Sequence, residues 1–428
     1  MDKKVQIVNS SHVEKPAIHG GKPVRQKAWP KWPFSSPELE ETVIRSLRSG
    51  RWAISGFYQG EPSYEEKFAK AFAAYNNAVF CIPTANGTSA LLCSLQALGI
   101  GTGDEVIVPG LTWVACAVAV ASLNAIPILV DVDEHTLCLS PQKVEAAITE
   151  RTKAIMVVHL YNAVADMGEL LRISQKYHIP LLEDCAQAHG ASWEGKRVGT
   201  IGAIGTFSMQ QGKILTSGEG GAAITNDPLL ADRIYTSRTN ARRKLSRKPQ
   251  TGYMELEDAG EIFASNYCLS EISGAILLHK LQLLDMENQT RQRNREILAK
   301  LLAEIAGVSL TGSSPGTTST SMYHLPVKID RAQFGQAGIE EICRMLSAEL
   351  GTWIHQPYVP LNKHPLYVTV DPRLLPHNGQ LDKTGFELPC CWEIHNTHLL
   401  LHHSLFLGDN GDMHDIAAGI KKVKHYMR

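Results

Sequence analysis

A lysine and an aspartate each stand just after a short apolar run, in two separate parts of the chain. Lys213 lies in the polar segment 210–217, which follows an apolar run and leads into the glycine cluster 218–221. Asp184 ends the run Leu181-Leu182-Glu183-Asp184. An amine can hold an aldehyde cofactor as a Schiff base, and a carboxylate can keep a pyridine nitrogen protonated. The pair therefore indicates pyridoxal phosphate (PLP) chemistry rather than two unrelated surface charges.

A candidate anion site lies upstream of both residues. Segment 83–90 follows a predicted strand and opens a predicted helix, and backbone N–H groups at a helix N-terminus bind phosphate. Taken alone, the segment is better explained as N-capping by Asn86 or Thr88. In company with the lysine and the aspartate, it predicts phosphate binding at Gly87 and Thr88. It is neither a Walker sequence nor GxGxxG, which disfavours a nucleotide-binding fold.

Three further side chains follow predicted strands. Trp113 comes just after a strand end and could stack on a flat pyridine ring, although core packing is an equal alternative. Gln187 lies three residues after Asp184. Because open α/β sheets bind ligands at the carboxyl ends of their strands, we expect Gln187 to reach the same ligand. Ser208 could donate to the phosphate or merely bond to nearby backbone.

Strands and helices alternate through the first half of the chain. The strands are almost continuously apolar, as in a parallel sheet buried on both faces. We predict an α/β fold with a mostly parallel central sheet flanked by helices. The predicted strands are 78–82, 105–109, 126–132, 153–159, 180–184, 204–209 and 221–225, and the helices between them are 87–98, 112–123, 141–148 and 167–177.

The remaining patterns predict three parts of the chain. Residues 1–60 form an N-terminal arm and helix, residues 61–305 a large PLP-binding domain, and residues 306–428 a small C-terminal α+β domain. Helical spacing from 269 to 305 predicts one long interdomain helix, or two helices broken near Asn288. The polar connection 240–265 and the segment 311–321 are predicted to lack regular structure.

Composition excludes several classes of protein. The 428 residues are 44% hydrophobic and 20% charged with a net charge of −1, which disfavours nucleic-acid and membrane-surface roles. Nine scattered cysteines without metal-ligand spacing indicate reduced thiols and no metal site. No signal peptide or membrane-spanning stretch is evident. We therefore expect a soluble, cytoplasmic enzyme with small-molecule substrates.

The strand-end motifs together resemble one family. Asp184-Cys-Ala-Gln187-Ala-His189-Gly, Phe207-Ser208-Met-Gln-Gln-Gly-Lys213 and Thr225-Asn-Asp227 are similar to motifs of the DegT/DnrJ/EryC1/StrS sugar aminotransferases, which are fold-type I PLP enzymes. The resemblance implies that Lys213 is the Schiff-base lysine and Asp184 the partner of the pyridine nitrogen. It also implies a stacking role for Trp113, a phenolic-oxygen contact for Gln187, and phosphate contacts from Gly87, Thr88 and Ser208.

One implied phosphate ligand comes from a second chain. The family places an asparagine of the neighbouring subunit on the phosphate, and Asn266 matches it in the run 264–271. This resemblance implies a homodimer with shared active sites. The family's arginine two positions later is Cys268 here, so an arginine contact to substrate is not expected.

Further strings resemble one branch of the family. Segments 51–56, 265–271 and 401–403 are similar to aminotransferases that move the amino group of L-glutamine (or glutamate) to 2-deoxy-scyllo-inosose or scyllo-inosose in aminoglycoside biosynthesis. The alternatives are a 3-amino-5-hydroxybenzoate synthase, a nucleotide-ketosugar aminotransferase and, more remotely, a non-catalytic PLP-binding regulatory protein. Four residues are predicted to contact substrate: Ile54, Tyr358, His402 and His403. For the two histidines, packing within a strand is an equal alternative.

Overall fold

A computed structural model describes residues 15–260, 262–367 and 385–428. The start of the predicted arm, Glu261 of the polar connection and residues 368–384 of the predicted small domain lie outside the described residues. The helices of the described part are α1 Pro37–Arg48, α2 Tyr64–Asn76, α3 Gly87–Ala97, α4 Ala115–Ala121, α5 Pro141–Ala146, α6 Met167–Tyr177, α7 Pro228–Arg238, α8 Glu271–Leu281, α9 Leu284–Ala303, α10 Ile339–Leu350, α11 Pro389–Thr397 and α12 Asn410–Met427.

The strands alternate with these helices up to residue 184 and then follow one another without a helix up to residue 225. They are β1 Phe80–Thr84, β2 Glu105–Pro109, β3 Ile126–Val130, β4 Thr152–Val158, β5 Leu181–Asp184, β6 Ser192–Trp193, β7 Lys196–Arg197, β8 Ile204–Ser208, β9 Gly221–Thr225, β10 Arg242–Lys244, β11 Leu256–Asp258, β12 Val308–Leu310, β13 Thr317–Ser319, β14 His324–Ile329 and β15 His398–His402.

Seven strands form the central sheet, in the order β1-β9-β8-β5-β4-β2-β3. Strands β3, β2, β4, β5 and β8 pair in parallel, whereas β9 pairs antiparallel with both β8 and β1. All five residues of β2, β8 and β9 are buried, as expected for strands covered on both faces. The predicted mostly parallel α/β fold is confirmed.

A second sheet has its own apolar core. It has the order β12-β14-β15, and β14 pairs antiparallel with both neighbours. Its core includes Leu325, Val327 and residues of α10 and α12 such as Ile342 and Ile420, together with Leu298 from the end of α9. The domain limits 1–60, 61–305 and 306–428 stay predictions. Among the described residues, no helix has the length and apolar character to cross a bilayer.

The structure corrects two local predictions. The helical stretch after residue 269 is two helices, but the break falls at Gln282 and Leu283, where both N–H groups make tight i→i−3 bonds. Helix α9 runs through Asn288, whose amide donates to the carbonyl oxygen of His189 (3.0 Å) instead of competing for its own backbone. Both segments predicted to be irregular contain short strands: β10 and β11 in the first, and β13 in the second.

The described part of the N-terminal arm is fixed to the C-terminal half of the chain. The Arg25 guanidinium forms a buried ion pair with Asp412 of α12 at 2.8 Å. Further along the arm, the Trp29 indole N–H donates to the carbonyl oxygen of Leu350 at 2.7 Å. These contacts pack the arm around Arg25 and Trp29 against the second core.

Candidate active site

The two residues that indicate PLP chemistry lie at one edge of the central sheet. Asp184 is the last residue of β5, and Lys213 lies in the turn after β8, which pairs in parallel with β5. The carboxyl ends of neighbouring parallel strands meet at the same edge. Both side chains are buried, with Asp184 7% and Lys213 9% exposed. The sheet thus brings an amine and a carboxylate from separate motifs into one buried site.

Burial is the main influence on the pKa of the Lys213 amine. Removing Lys213 from water lowers its pKa to about 8, although the charges of Asp184 and Cys116 act in the opposite direction. Its Nζ lies 4.1 Å from the centroid of the Tyr323 ring. The lowered pKa increases the neutral fraction of the amine, which is the form that reacts with an aldehyde.

Two hydrogen bonds orient the carboxylate. Asp184 Oδ1 accepts from the Ala186 N–H at 2.9 Å, and Oδ2 accepts from the Cys116 thiol at 3.1 Å. Burial raises the pKa of Cys116, which keeps the thiol protonated and able to donate. Sequence reasoning missed Cys116. The sequence feature that could have identified it is its position, three residues after Trp113 and in the first turn of α4.

The N-terminus of α3 forms the candidate phosphate site. Asn86 caps the helix through a reciprocal box with Ser89, in which Asn86 Oδ1 accepts the Ser89 N–H at 2.8 Å. The N–H groups of Gly87 and Thr88 are not part of that box. A Cβ on Gly87 would lie 2.6 Å from the Cβ of Ser208, so glycine is what lets the end of β8 approach the helix. Gly87 and Ser208 are therefore in close contact, and Thr88 is the next residue of the helix.

Aromatic and amide groups lie at the same edge. The Trp113 ring is 47% exposed, and its centroid is 5.8 Å from that of Tyr358. Gln187 Nε2 donates to the Tyr358 hydroxyl at 3.4 Å, and its Oε1 accepts the Tyr161 N–H at 2.8 Å. Burial raises the pKa of Tyr358, so its hydroxyl remains a hydrogen-bond donor. The structure thus connects Trp113, Gln187 and Tyr358 directly.

Two histidines predicted to contact substrate lie beside the lysine turn. Nε2 of His402 and Nε2 of His403 lie 3.2 and 3.0 Å from the Gly212 carbonyl oxygen. Burial lowers the pKa of His402 to about 4, which leaves its ring neutral at physiological pH. Tyr323, whose ring contacts the Lys213 amine, packs near both histidines. Sequence reasoning missed Tyr323 because it precedes β14, in what was taken as a separate domain.

The remaining predicted residues are Asn266 and Ile54, which lie on or beside the segment around residue 266. The Asn266 side chain is exposed, and its Oδ1 accepts the Cys268 N–H at 3.3 Å. The adjacent Tyr267 carbonyl accepts the Ala85 N–H at 2.7 Å, so this segment runs beside the candidate phosphate site. Ile54 is buried in the turn after Ala53, which pairs with Ser270 on the same segment; no contact joins Ile54 to the Lys213 turn in the described hydrogen bonds and strand pairs.

The chain is similar to known proteins in both sequence and structure. Residues 36–400 match the family described as DegT/DnrJ/EryC1/StrS aminotransferase. The chain is 47% identical to an L-glutamine:2-deoxy-scyllo-inosose aminotransferase of Streptoalloteichus tenebrarius, over 95% of this chain and 97% of the relative. It is 43% identical to an L-glutamine:scyllo-inosose aminotransferase of Streptomyces griseus, over 96% of this chain and 98% of the relative. The crystal structure of a 3-amino-5-hydroxybenzoic acid synthase matches with a TM-score of 0.81 and 30% identity, covering 93% of this chain and 99% of that chain.

Proposed function

Since the chain belongs to the DegT/DnrJ/EryC1/StrS aminotransferase family, we propose that it transfers the amino group of L-glutamine, or of glutamate, to a ketocyclitol such as 2-deoxy-scyllo-inosose or scyllo-inosose, as a step of aminoglycoside biosynthesis. The observation that carries this proposal is the 47% identity to a 2-deoxy-scyllo-inosose aminotransferase over almost the full length of both chains. The chain is an aminotransferase, and the choice of donor and acceptor is what remains to be tested.

The residues of the site fit PLP as the cofactor. A buried amine and a buried carboxylate lie at neighbouring strand ends, as a Schiff-base lysine and a pyridine-nitrogen partner must. The N-terminus of α3 offers N–H groups of Gly87 and Thr88 beside the Ser208 hydroxyl, which suits a phosphate group. We assign ring stacking to Trp113, the phenolic-oxygen contact to Gln187, and a phosphate contact across the dimer to Asn266.

The mechanism assigns Lys213 and Asp184 distinct tasks. When bound, PLP supplies an electron sink that stabilises negative charge on the α-carbon of the amino donor. Lys213 would hold the cofactor through its amine, and the same amine, when free, would remove the proton from the α-carbon of the amino donor. In the second half-reaction the same amine delivers a proton to the carbon that was the ketone. A pKa of about 8 suits both directions of transfer near neutral pH.

Asp184 would keep the pyridine nitrogen of the bound cofactor protonated. Its carboxylate is fixed by the Ala186 N–H and the Cys116 thiol, so it need not reorganise as charge develops during proton removal.

The structure gives no cationic partner for an acidic substrate at Cys268, since that thiol donates to the Arg238 carbonyl oxygen at 3.4 Å. A site that offers hydroxyl and amide groups, such as those of Tyr358 and Gln187, suits an uncharged polyol.

A comparison of acceptor ketones tests the proposed function. The enzyme is loaded with amino groups by L-glutamine or L-glutamate, and each ketone is then added in parallel: an inosose, a nucleotide-linked ketosugar and an aminoshikimate-type ketone. Return of the original cofactor absorption only with the inosose supports the proposal. Preference for the aminoshikimate-type ketone would instead favour the activity named for the structural neighbour.

The pH dependence of cofactor attachment is a second test. The neutral Lys213 amine is the reactive form, and burial lowers its pKa to about 8. We expect the rate at which cofactor-free protein attaches PLP to rise with pH and to level off above about 8. Because the Asp184 charge raises the pKa of Lys213, Asp184→Asn should move the midpoint to lower pH. A midpoint near the ordinary lysine value of 10.5 would contradict a desolvated amine.

An exposed apolar surface supports the homodimer. Segments 57–58 and 252–253 are joined by the Tyr58 N–H and the Tyr253 carbonyl (2.9 Å). Met254 contacts Arg242 (3.7 Å), and Thr239, three residues before Arg242, pairs with Asn266. Exposed clusters of large apolar groups mark interaction surfaces. The exposed side chains are those of Trp52, Phe57, Tyr253, Met254, Ile262 and Phe263, the last of them 92% exposed. We infer that a second copy of this chain covers them.

Phe263→Glu tests this interface. A charge placed in an apolar interface should shift the protein from dimer to monomer in sedimentation measurements and weaken cofactor binding, since Asn266 would no longer reach the partner's phosphate site. Met286→Glu, at another exposed apolar residue on α9, is the matched control and should leave the dimer unchanged. A Phe263→Glu protein that stays dimeric at low concentration would place the interface elsewhere.

A further inference from the structure

Two imidazole rings donate to one backbone oxygen next to the reactive lysine. Nε2 of His402 and of His403 lie 3.2 and 3.0 Å from the carbonyl oxygen of Gly212, the residue before Lys213. A carbonyl oxygen only accepts, so both nitrogens carry the proton. For His402 this agrees with its Nδ1, which accepts the Ser404 N–H at 3.3 Å. Two donors occupy both lone pairs of this oxygen.

The preceding carbonyl is held in the same way from the N-terminal arm. The Trp32 indole N–H donates to the Gln211 carbonyl oxygen at 3.1 Å. The Trp32 ring also meets the His403 ring edge-on, with centroids 4.6 Å apart. Two consecutive carbonyl oxygens are therefore fixed by side chains that lie 179 to 191 positions away in the sequence.

The turn itself has few bonds of its own. The Lys213 N–H donates to the Gln210 carbonyl oxygen, and the Gly212 N–H donates to Gln210 Oε1, each at 2.8 Å. Both bonds are internal to the first half of the turn. Thr216 Oγ1 and the Ser217 N–H bond the second half to the Met209 carbonyl oxygen at 3.0 and 3.2 Å. The donors to Gln211 and Gly212 connect the first half to the arm and to the end of β15.

We propose that Trp32, His402 and His403 form a carbonyl clamp that positions Lys213 for covalent attachment of the cofactor, and that the two histidines are positioning residues rather than substrate contacts. The proposal rests on the proposed function, in which Lys213 is the cofactor lysine. The physical reason is the burial of His403: its ring is 0% exposed and Gly212 is half-buried, so loss of this donor leaves the Gly212 carbonyl without a partner on its buried side, and the turn shifts to recover one. Gln211 is exposed, so its carbonyl can bond to water when the Trp32 donor is lost, and that loss costs less. A small displacement of the amine is enough to slow its reaction.

The chain offers variants that separate the hydrogen bonds from packing. His403→Gln keeps a donor near the position of Nε2, whereas His403→Leu keeps bulk and removes the donor. Trp32→Phe keeps an aromatic ring beside His403 and removes the N–H together with part of the indole ring. Trp29→Phe is the matched control, because that indole N–H, on the same arm, donates to the Leu350 carbonyl away from the turn.

The experiment measures attachment without any substrate. Cofactor-free protein is mixed with PLP, and the fraction bound covalently over time is trapped with borohydride. We expect attachment to slow roughly 10-fold in His403→Leu and about 3-fold in Trp32→Phe, and to stay within about 2-fold of the unsubstituted rate in His403→Gln and Trp29→Phe. The half-reactions with donor and with ketone should then slow by a common factor.

Two results would overturn the clamp. Normal attachment in both His403→Leu and Trp32→Phe, with slowing confined to the ketone half-reaction, would make the histidines substrate contacts. Slowing in Trp29→Phe equal to that in Trp32→Phe would show a general effect of loosening the arm. Failure of the cofactor role of Lys213 is seen separately, because the unsubstituted protein would then show no borohydride-trapped cofactor on that residue. Failure of the proposed acceptor is seen in the comparison of ketones, which does not affect trapping.

Discussion

Lys213→Ala is expected to slow amino transfer by about 10⁴-fold or more, because one amine both holds the cofactor covalently and moves the proton. The phosphate contacts proposed at Gly87, Thr88 and Ser208 do not depend on this amine, so the variant should still bind PLP, but without a bond that borohydride can reduce. Steady-state transfer from L-glutamine to an inosose measures the first effect, and mass spectrometry after borohydride treatment measures the second.

Two further variants serve as controls for Lys213→Ala. Lys213→Arg keeps a positive charge in the site but offers no amine with a pKa near neutrality, and it should be as inactive as the alanine variant. Lys196→Ala removes an exposed amine of β7 and should leave transfer unchanged. A Lys213→Ala protein that retains both turnover and a reducible cofactor bond would assign the chemistry to another amine.

Asp184→Asn is expected to slow proton removal from the donor by about 10²–10³-fold while PLP remains bound. Asparagine has nearly the same shape and keeps an oxygen that can accept from the Ala186 N–H, but it lacks the charge that holds a proton on the ring nitrogen. The measurement is exchange of the donor α-hydrogen with solvent deuterium, followed by nuclear magnetic resonance, which reports proton removal without any ketone.

The control for this substitution is Asp227→Asn. That carboxylate caps α7 away from the sheet edge, and its loss should leave α-hydrogen exchange unchanged. If Asp184→Asn exchanged the α-hydrogen at the unsubstituted rate, the carboxylate would have no electronic role. Its two hydrogen bonds would then serve only to fix the end of β5.

The sequence predicted much of the fold because its local signals agreed with one another. Helix α6 and strands β2 and β9 have the predicted limits, and α3 differs by one residue. Asn86 and Asp166 are N-caps that start their helices at the expected place. An apolar run does not encode its direction, however, so the antiparallel placement of β9 was not predicted.

The site was harder to predict wherever its partners are distant in the chain. Asp184 and Lys213 were identified because each follows a strand, and neighbouring parallel strands end at one edge. Cys116 and Tyr323 carried no such signal, since a buried thiol and a tyrosine before a strand are also typical of ordinary packing. The two histidines at 402 and 403 could be placed near the site only by resemblance, because the carbonyl they bond to is about 190 positions away.

Borohydride reduction followed by peptide mass spectrometry tests the central claim most directly. The cofactor-loaded enzyme should carry the reduced adduct on Lys213. Brief treatment with L-glutamine before reduction should remove that adduct, and subsequent addition of 2-deoxy-scyllo-inosose should restore it. An adduct on another lysine, or one that L-glutamine leaves unchanged, would contradict a PLP-dependent amino transfer centred on Lys213.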